Sequence, residues 1–528
     1  MPVGLEASKR AAQIALQHRP GKKIDPKKLK AAWNRMSRHP GLPGAPGASA
    51  ASPVATAGAP GQGSGEKWPR DAVQLLLDRT SHGFHLGEYE IAKTVGYPIW
   101  FEYQLAHESI DDSPLEDLLA EILPSLAMSA KEIYDAYWTT NQLEIPFLEL
   151  KFATMLRAAY SPRQLYERMV GFWSDHFNID HEDDFCLLLK TVDDREVIRP
   201  HALGKFPDLL RASAESAAMN QYLDNFANVK GRAQENYARE LMELHSLGVS
   251  GPYTENDVKE VARCLTGWTY QRKNPFFPNW GEFLFDPGKH DTGAKTVLGQ
   301  QIPAGGGKSD GDIVLDILAN HPSTAHFVAT KLVRHFVADD PPQSLVQRVA
   351  ATYLATGGDI KSMLRDIFSP QSPAAFVRFA QPKFRRPFLM ATSLLRAFEI
   401  GLADPTGMLY EMIVMGQYPF GWHAPNGYPD VTGAWASNLR PRWSFASRLF
   451  DNQSWGTPID RYAITARIND TGITDRAEAI NVVLTGGRLA RRDVNAIRAH
   501  IQSEPVYTWR VLREAIALAA SSPSYQTH

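Results

Sequence analysis

Residues Gln234 to Trp268 read QENYARELMELHSLGVSGPYTENDVKEVARCLTGW, and their spacing decides the fold class. In the first half Asn236, Glu240 and Glu243 recur at three and four residues and share one side of a helix, with Tyr237, Leu241 and Leu244 as an adjacent apolar stripe. Gly248 is the expected end of that helix. Thr254 followed three residues later by Asp257 opens the next as a capping pair, and Val258, Val261, Leu265 and Trp268 make its buried side. The spacing therefore predicts helix, turn, helix.

Glu240, Glu243 and His245 are the residue types that bind iron, manganese or zinc. At about 100° per residue, however, the two acids lie about 60° apart and His245 lies about 140° from the first and about 160° from the second. One helix cannot aim all three at one ion. Arg239 sits one turn before Glu243, so a local ion pair is one reading. The other is an inward-facing carboxylate pair, which needs a cation or a positive partner because two buried like charges repel.

Outward from this stretch the chain is expected to be mainly α, a large multi-helix body with a small β-hairpin insertion at about 274–307. Apolar residues make up 44% and charged residues 22% of 528, which excludes a fibrous or wholly disordered chain. A net charge of -2 gives no electrostatic argument for nucleic acid, except through a basic arm at 1–40. That arm can fold back on the acidic remainder, touch an anionic surface or serve solubility. Residues 41–66, rich in Pro, Gly, Ala and Ser, read as a linker, and 67–528 as the helical domain. No run suits a membrane span, and Ala11 to Leu16 is too interrupted by polar residues for an export signal, so a cytoplasmic location is expected. Cys186 and Cys264 are too few for a disulfide framework and read as small core side chains.

Several further positions carry chemistry. Ser161-Pro162-Arg163-Gln164 is a helix start, and the helix it opens places Leu165, Met169, Phe172 and His176 on one face. His176 there is a core imidazole or a metal ligand. The acidic loop from Asn178 to Asp184 lacks EF-hand spacing. Arg195, Arg199 and His201 near a helix start can hold an anion or neutralise the acids of the signature helix. In the expected hairpin, Phe283 and Phe285 form one extended run, Thr296 to Leu298 a second, and the loop between them carries His290 and Asp291. Phe420 to Asp430 is a loop fixed by prolines and glycines, in which His423 or Asp430 can handle a proton; a rigid packing role is the alternative.

The same motifs carry a family resemblance. Asn236 to His245, Tyr253-Thr254 and Leu265 to Trp268 resemble the signature of the bacterial family catalogued as domain of unknown function 1800. Tyr160 to Leu165, Phe172-Trp173 with His176-Phe177, Arg195 to Gly204, Tyr222 to Asn225 and Lys295 to Gly299 follow in the same order, from about Trp68 onward. The Trp422-His423 pair departs from the family pattern. The resemblance implies no established reaction. It implies a gene neighbourhood shared with a phosphatase-like companion, and export of many members.

Two functions follow as expectations. One is an enzyme, hydrolytic rather than oxidoreductive, with a divalent metal on His176, Asp224, Glu240 and Glu243, catalytic candidates Glu240, Glu243, His290, Asp291 and His423, and Arg199 and Arg239 as anion or carboxylate partners. The other is a non-enzymatic partner or maturation factor for the phosphatase-like companion.

Overall fold

The computed structural model describes Lys28 and residues 71–180, 184–272 and 277–528. The linker at 41–66, residues 181–183 of the acidic loop, the first residues of the expected insertion and the basic arm lie outside them, apart from Lys28, whose ammonium pairs with Glu121 at 2.9 Å. Among the described residues helix takes 63%, against two antiparallel two-stranded sheets of three-residue strands, so the fold is mainly α with a small β insertion. Among the described residues, no helix is long and apolar enough to cross a membrane.

The opening stretch folds by its local signals. Glu235–Glu243 is the first helix, with Tyr237 and Leu241 fully buried. It ends five residues before Gly248 because the Ser246 hydroxyl takes the Leu241 carbonyl at 2.6 Å and the chain leaves through turns. Glu255–Cys264 is the second helix, and both halves of the Thr254–Asp257 capping box are present. Val258, Val261, Leu265 and Trp268 are completely buried. Each such side chain contributes about 1.5–3 kcal/mol by leaving water.

The insertion departs from a single hairpin. Trp268–Tyr270 pairs with Phe283–Phe285, and Lys295–Val297 pairs separately with Gln300–Ile302. Leu298 and Gly299 both have positive φ, 49° and 76°, as a two-residue turn of the right twist requires. That local turn captures Val297 for its own neighbour and leaves Phe283–Phe285 to the strand that exits the signature helices.

Two hydrophobic cores organise the helices. The first joins the signature pair to Ala72–Thr80, Gln164–His176 and Pro322–Phe336. The second joins Glu144–Tyr160 to Pro387–Phe398, Pro405–Val414, Leu439–Phe450 and Trp509–Ser521. Between them, Thr154 and Ala158 of the Glu144–Tyr160 helix and Arg168 and Phe172 of the Gln164–His176 helix wall one cavity. The seam between the cores is therefore where polar side chains can be enclosed without disturbing either apolar interior.

Candidate active site

Arg168, Phe172, Asp175 and His176 share one face of the Gln164–His176 helix by three-and-four spacing. Lys331 and His335, one turn apart, face them from Pro322–Phe336. Arg386 precedes the Pro387–Phe398 helix at its cap position. The fourth wall is the Gly427–Asp430 loop. At Gly427, with φ +69°, an added Cβ would lie 1.9 Å from the Asp175 carbonyl oxygen, so only glycine lets the loop close on the helix. Asn178 reinforces the closure by donating to the Trp422 and Ala424 carbonyls, each at 2.8 Å.

The loop brings Asp430 to His335. The His335 Nδ1 and Asp430 Oδ2 are 2.6 Å apart, and Arg168 Nη2 lies 3.1 Å from His335 Nε2. A guanidinium only donates, so Nε2 accepts and the ring proton sits on Nδ1, which donates to Asp430. Burial, helped by the Arg168 charge and opposed by Asp430, pushes the His335 imidazole down to about 4. Burial pulls the Asp430 carboxyl upward, but His335, Lys383 and Arg386 outweigh it and hold that carboxyl well below the usual range. Burial also lowers Arg168 to about 10, and its Nε is enclosed with no acceptor from the described residues.

Three further groups complete the cleft. Arg386 donates to Asp175 at 3.1 Å, and burial raises the Asp175 carboxyl. Lys331 donates to His176 Nδ1 at 2.8 Å, and burial lowers its ammonium to about 8. Two adjoining cavities, of about 80 and 270 Å³, share Phe172, Asp175, His335, Arg386 and Tyr428 as their common wall. The arrangement can hold an anion on Arg168 and Arg386 beside a neutral imidazole.

The residues singled out in the sequence are distributed differently. His176 lines the larger cavity, with its two nitrogens engaged by Lys331 and by the His245 carbonyl at 3.1 Å. Asp224 is exposed, and Asn236 donates to it at 3.4 Å. Glu240 is half-buried and raised by burial and by Glu243. Arg239 binds Glu255 through two hydrogen bonds of 2.9 and 2.7 Å and reaches Glu243 at 3.5 Å, the local ion pair of the sequence reading. His176, Asp224, Glu240 and Glu243 are not gathered into one ligand set: among the described residues, no group of three or more His, Cys, Asp or Glu is placed to hold a metal ion.

The remaining candidates tie elements together. His290 is buried between the Thr266 carbonyl at 2.8 Å and Asp310 at 3.2 Å. Asp291 is clasped by Arg263, whose hydrogen bonds lower its carboxyl to about 2. His423 faces Asp180 at 3.1 Å on the outer side of the loop. Arg199 does hold carboxylates, those of Glu167 at 2.9 and 3.0 Å and Asp194 at 2.7 Å, and not those of the signature helix. Of the cleft groups only His176 and Asp430 stood out in the sequence. The signal that could have found His335 is Lys331 and His335 one turn apart on one helix.

No curated protein and no solved structure matches the chain. One family model does, the one described as protein of unknown function (DUF1800), and it matches residues 75–527. The chain belongs to that family.

Proposed function

We propose that the chain is an enzyme that hydrolyses a small anionic ester in the cleft between the two cores. The observation that carries this reading is the buried His335 imidazole paired with the partly exposed Asp430 at 2.6 Å, with Arg168 donating to its far nitrogen. In the free protein Arg168 occupies His335 Nε2 and disfavours its protonation. A substrate anion that draws Arg168 and Arg386 onto itself frees that nitrogen and neutralises the nearest positive charge, which raises the basicity of His335. A water molecule beside the bound ester then gives its proton to Nε2 as its oxygen attacks. Asp430 steadies the imidazolium through Nδ1–H, and the proton returns to the leaving oxygen. Lys331 adds a further positive donor to the cavity wall.

The test is a panel of chromogenic phosphate, sulfate and carboxylate-bearing esters given to the purified chain and to His335→Gln and Asp430→Asn. The expected result is turnover of an anionic ester, reduced about 10²–10⁴-fold in folded His335→Gln. Turnover that persists unchanged in both variants contradicts the assignment. So does an inert wild-type chain that instead forms a stable complex with a phosphatase-like companion.

A further inference from the structure

The two cavities that meet at His335 differ in character, and the difference deepens the hydrolytic reading, on which this inference rests. The larger one carries the charges: Lys331, Arg334, Arg386, Asp175 and Asp430 all line it. The smaller, of about 80 Å³, is walled by Ala158, Val170, Phe172, Phe388, Pro419 and Phe420.

The polar side chains of the smaller cavity are turned to the protein. Glu167 is held by Arg199 at 2.9 and 3.0 Å, and the Thr154 hydroxyl donates to the Leu150 carbonyl at 2.9 Å. The Gln417 side-chain oxygen takes the Phe388 N–H at 3.2 Å, and the Tyr428 hydroxyl donates to the Tyr418 carbonyl at 3.2 Å. The Ser174 and Tyr418 hydroxyl oxygens are closed off from the space. His82 stands edge-on to Phe388 with ring centroids 5.8 Å apart, and burial pushes its imidazole well below the ordinary 6.5, so it is neutral. Asp175 and Arg386 belong to the wall shared with the larger cavity, and Arg168 reaches His335 there.

Gly171 opens this space to solvent. It lies on the cavity wall, exposed, in the middle of the Gln164–His176 helix, where an added Cβ would meet no atom within 4 Å. Glycine is a poor helix former, and neither a positive φ nor a close neighbour requires it here. What its missing side chain provides is room at the mouth. A dry cavity of about 150 Å³ holds benzene, so about half that volume suits ~two to four carbons.

We propose that the smaller cavity holds the alcohol part of the substrate, a monoester of a small oxoanion with a short, uncharged alkyl alcohol. With the oxoanion on Arg168 and Arg386, the two cavities divide the ester at its bridging oxygen, beside His335. The water oxygen bonds to the central atom of the oxoanion, and the bond to the bridging oxygen breaks with both electrons on that oxygen. The proton taken by His335 Nε2 returns to it, giving the free alcohol.

The test is calorimetric titration of folded His335→Gln, which binds esters with little turnover, with inorganic phosphate and with methyl, ethyl, n-butyl and n-octyl phosphate. Affinity is expected to rise by up to about fourfold per methylene as far as butyl, and no further at octyl. Gly171→Leu, added to His335→Gln, is expected to flatten that rise relative to inorganic phosphate in a chain that keeps its circular dichroism. A flat or absent series, a rise that continues to octyl, or a rise that survives Gly171→Leu overturns the proposal. The two readings fail separately: a chain-length rise without ester turnover in the wild type sinks hydrolysis alone, and turnover with a flat series sinks the alkyl site alone.

Discussion

Arg199 and Arg239 look alike in the sequence, each an arginine near acids on a helix, yet they sit in opposite regimes. Arg239, on the signature helix, faces solvent with Glu255 and Glu243, where water and salt screen the attraction. Arg199 is enclosed with Glu167 and Asp194, beside the helix that carries Arg168 and Asp175. The charged side of the signature helix is thus a solvated face, and the chemistry collects at a seam assembled from distant segments. Motif density marks where the chain is locally determined. It does not mark where polar groups are enclosed.

The sharpest way to break this contrast is to delete both arginines in turn. Arg199→Ala leaves two buried carboxylates without a partner and is expected to cost about 3–5 kcal/mol in chemical denaturation. Arg239→Ala is expected to leave the denaturation midpoint unchanged at physiological salt. Equal losses from the two would dissolve the distinction.

A smaller effect, with a definite pH signature, comes from Asp112. Its folded carboxyl titrates near 7 against an ordinary value of 3.8, so the folded chain holds a proton that the unfolded chain releases between those values. Stability is therefore lost as pH rises from about 4 through 7, by on the order of 2–4 kcal/mol. Asp112→Asn is expected to raise the melting temperature at pH 8 and to leave it nearly unchanged at pH 4. A gain confined to acid would reverse the assignment.

His335 has the opposite sign. Its folded imidazole is lowered to about 4, below the ordinary 6.5, so its contribution is present above about 6.5 and is lost as pH falls through 4. His335→Gln is expected to flatten that acid limb in a pH series of thermal melts. An unchanged limb would remove His335 from the enclosed class.

How much was legible in the sequence follows from the same contrast. The Thr254–Asp257 box and the buried Val258, Val261, Leu265 and Trp268 were readable because each depends on residues three or four apart. So was the ion pair of Arg239 with Glu243. The strand partners were not: the connection from Tyr270 to Phe283 is too long for its turn residues to fix a register, and the Leu298-Gly299 turn is visible only once a leucine is seen at positive φ. The cleft was least legible, because Arg168 and His335 meet across 167 residues and His335 and Asp430 across 95. Gly427 makes that meeting possible, and nothing in its neighbours foretells the close approach to Asp175.

The most direct test is the protonation state of His335, read from the ¹⁵N shifts of its ring in labelled protein and assigned against His335→Gln. The expected result is a neutral ring at pH 7 with its proton on Nδ1, titrating near 4 in the free protein and at higher pH once inorganic phosphate occupies Arg168 and Arg386. A proton on Nε2, an imidazolium at neutral pH, or a titration indifferent to phosphate would contradict the claim that His335, Asp430 and Arg168 form an anion-triggered base.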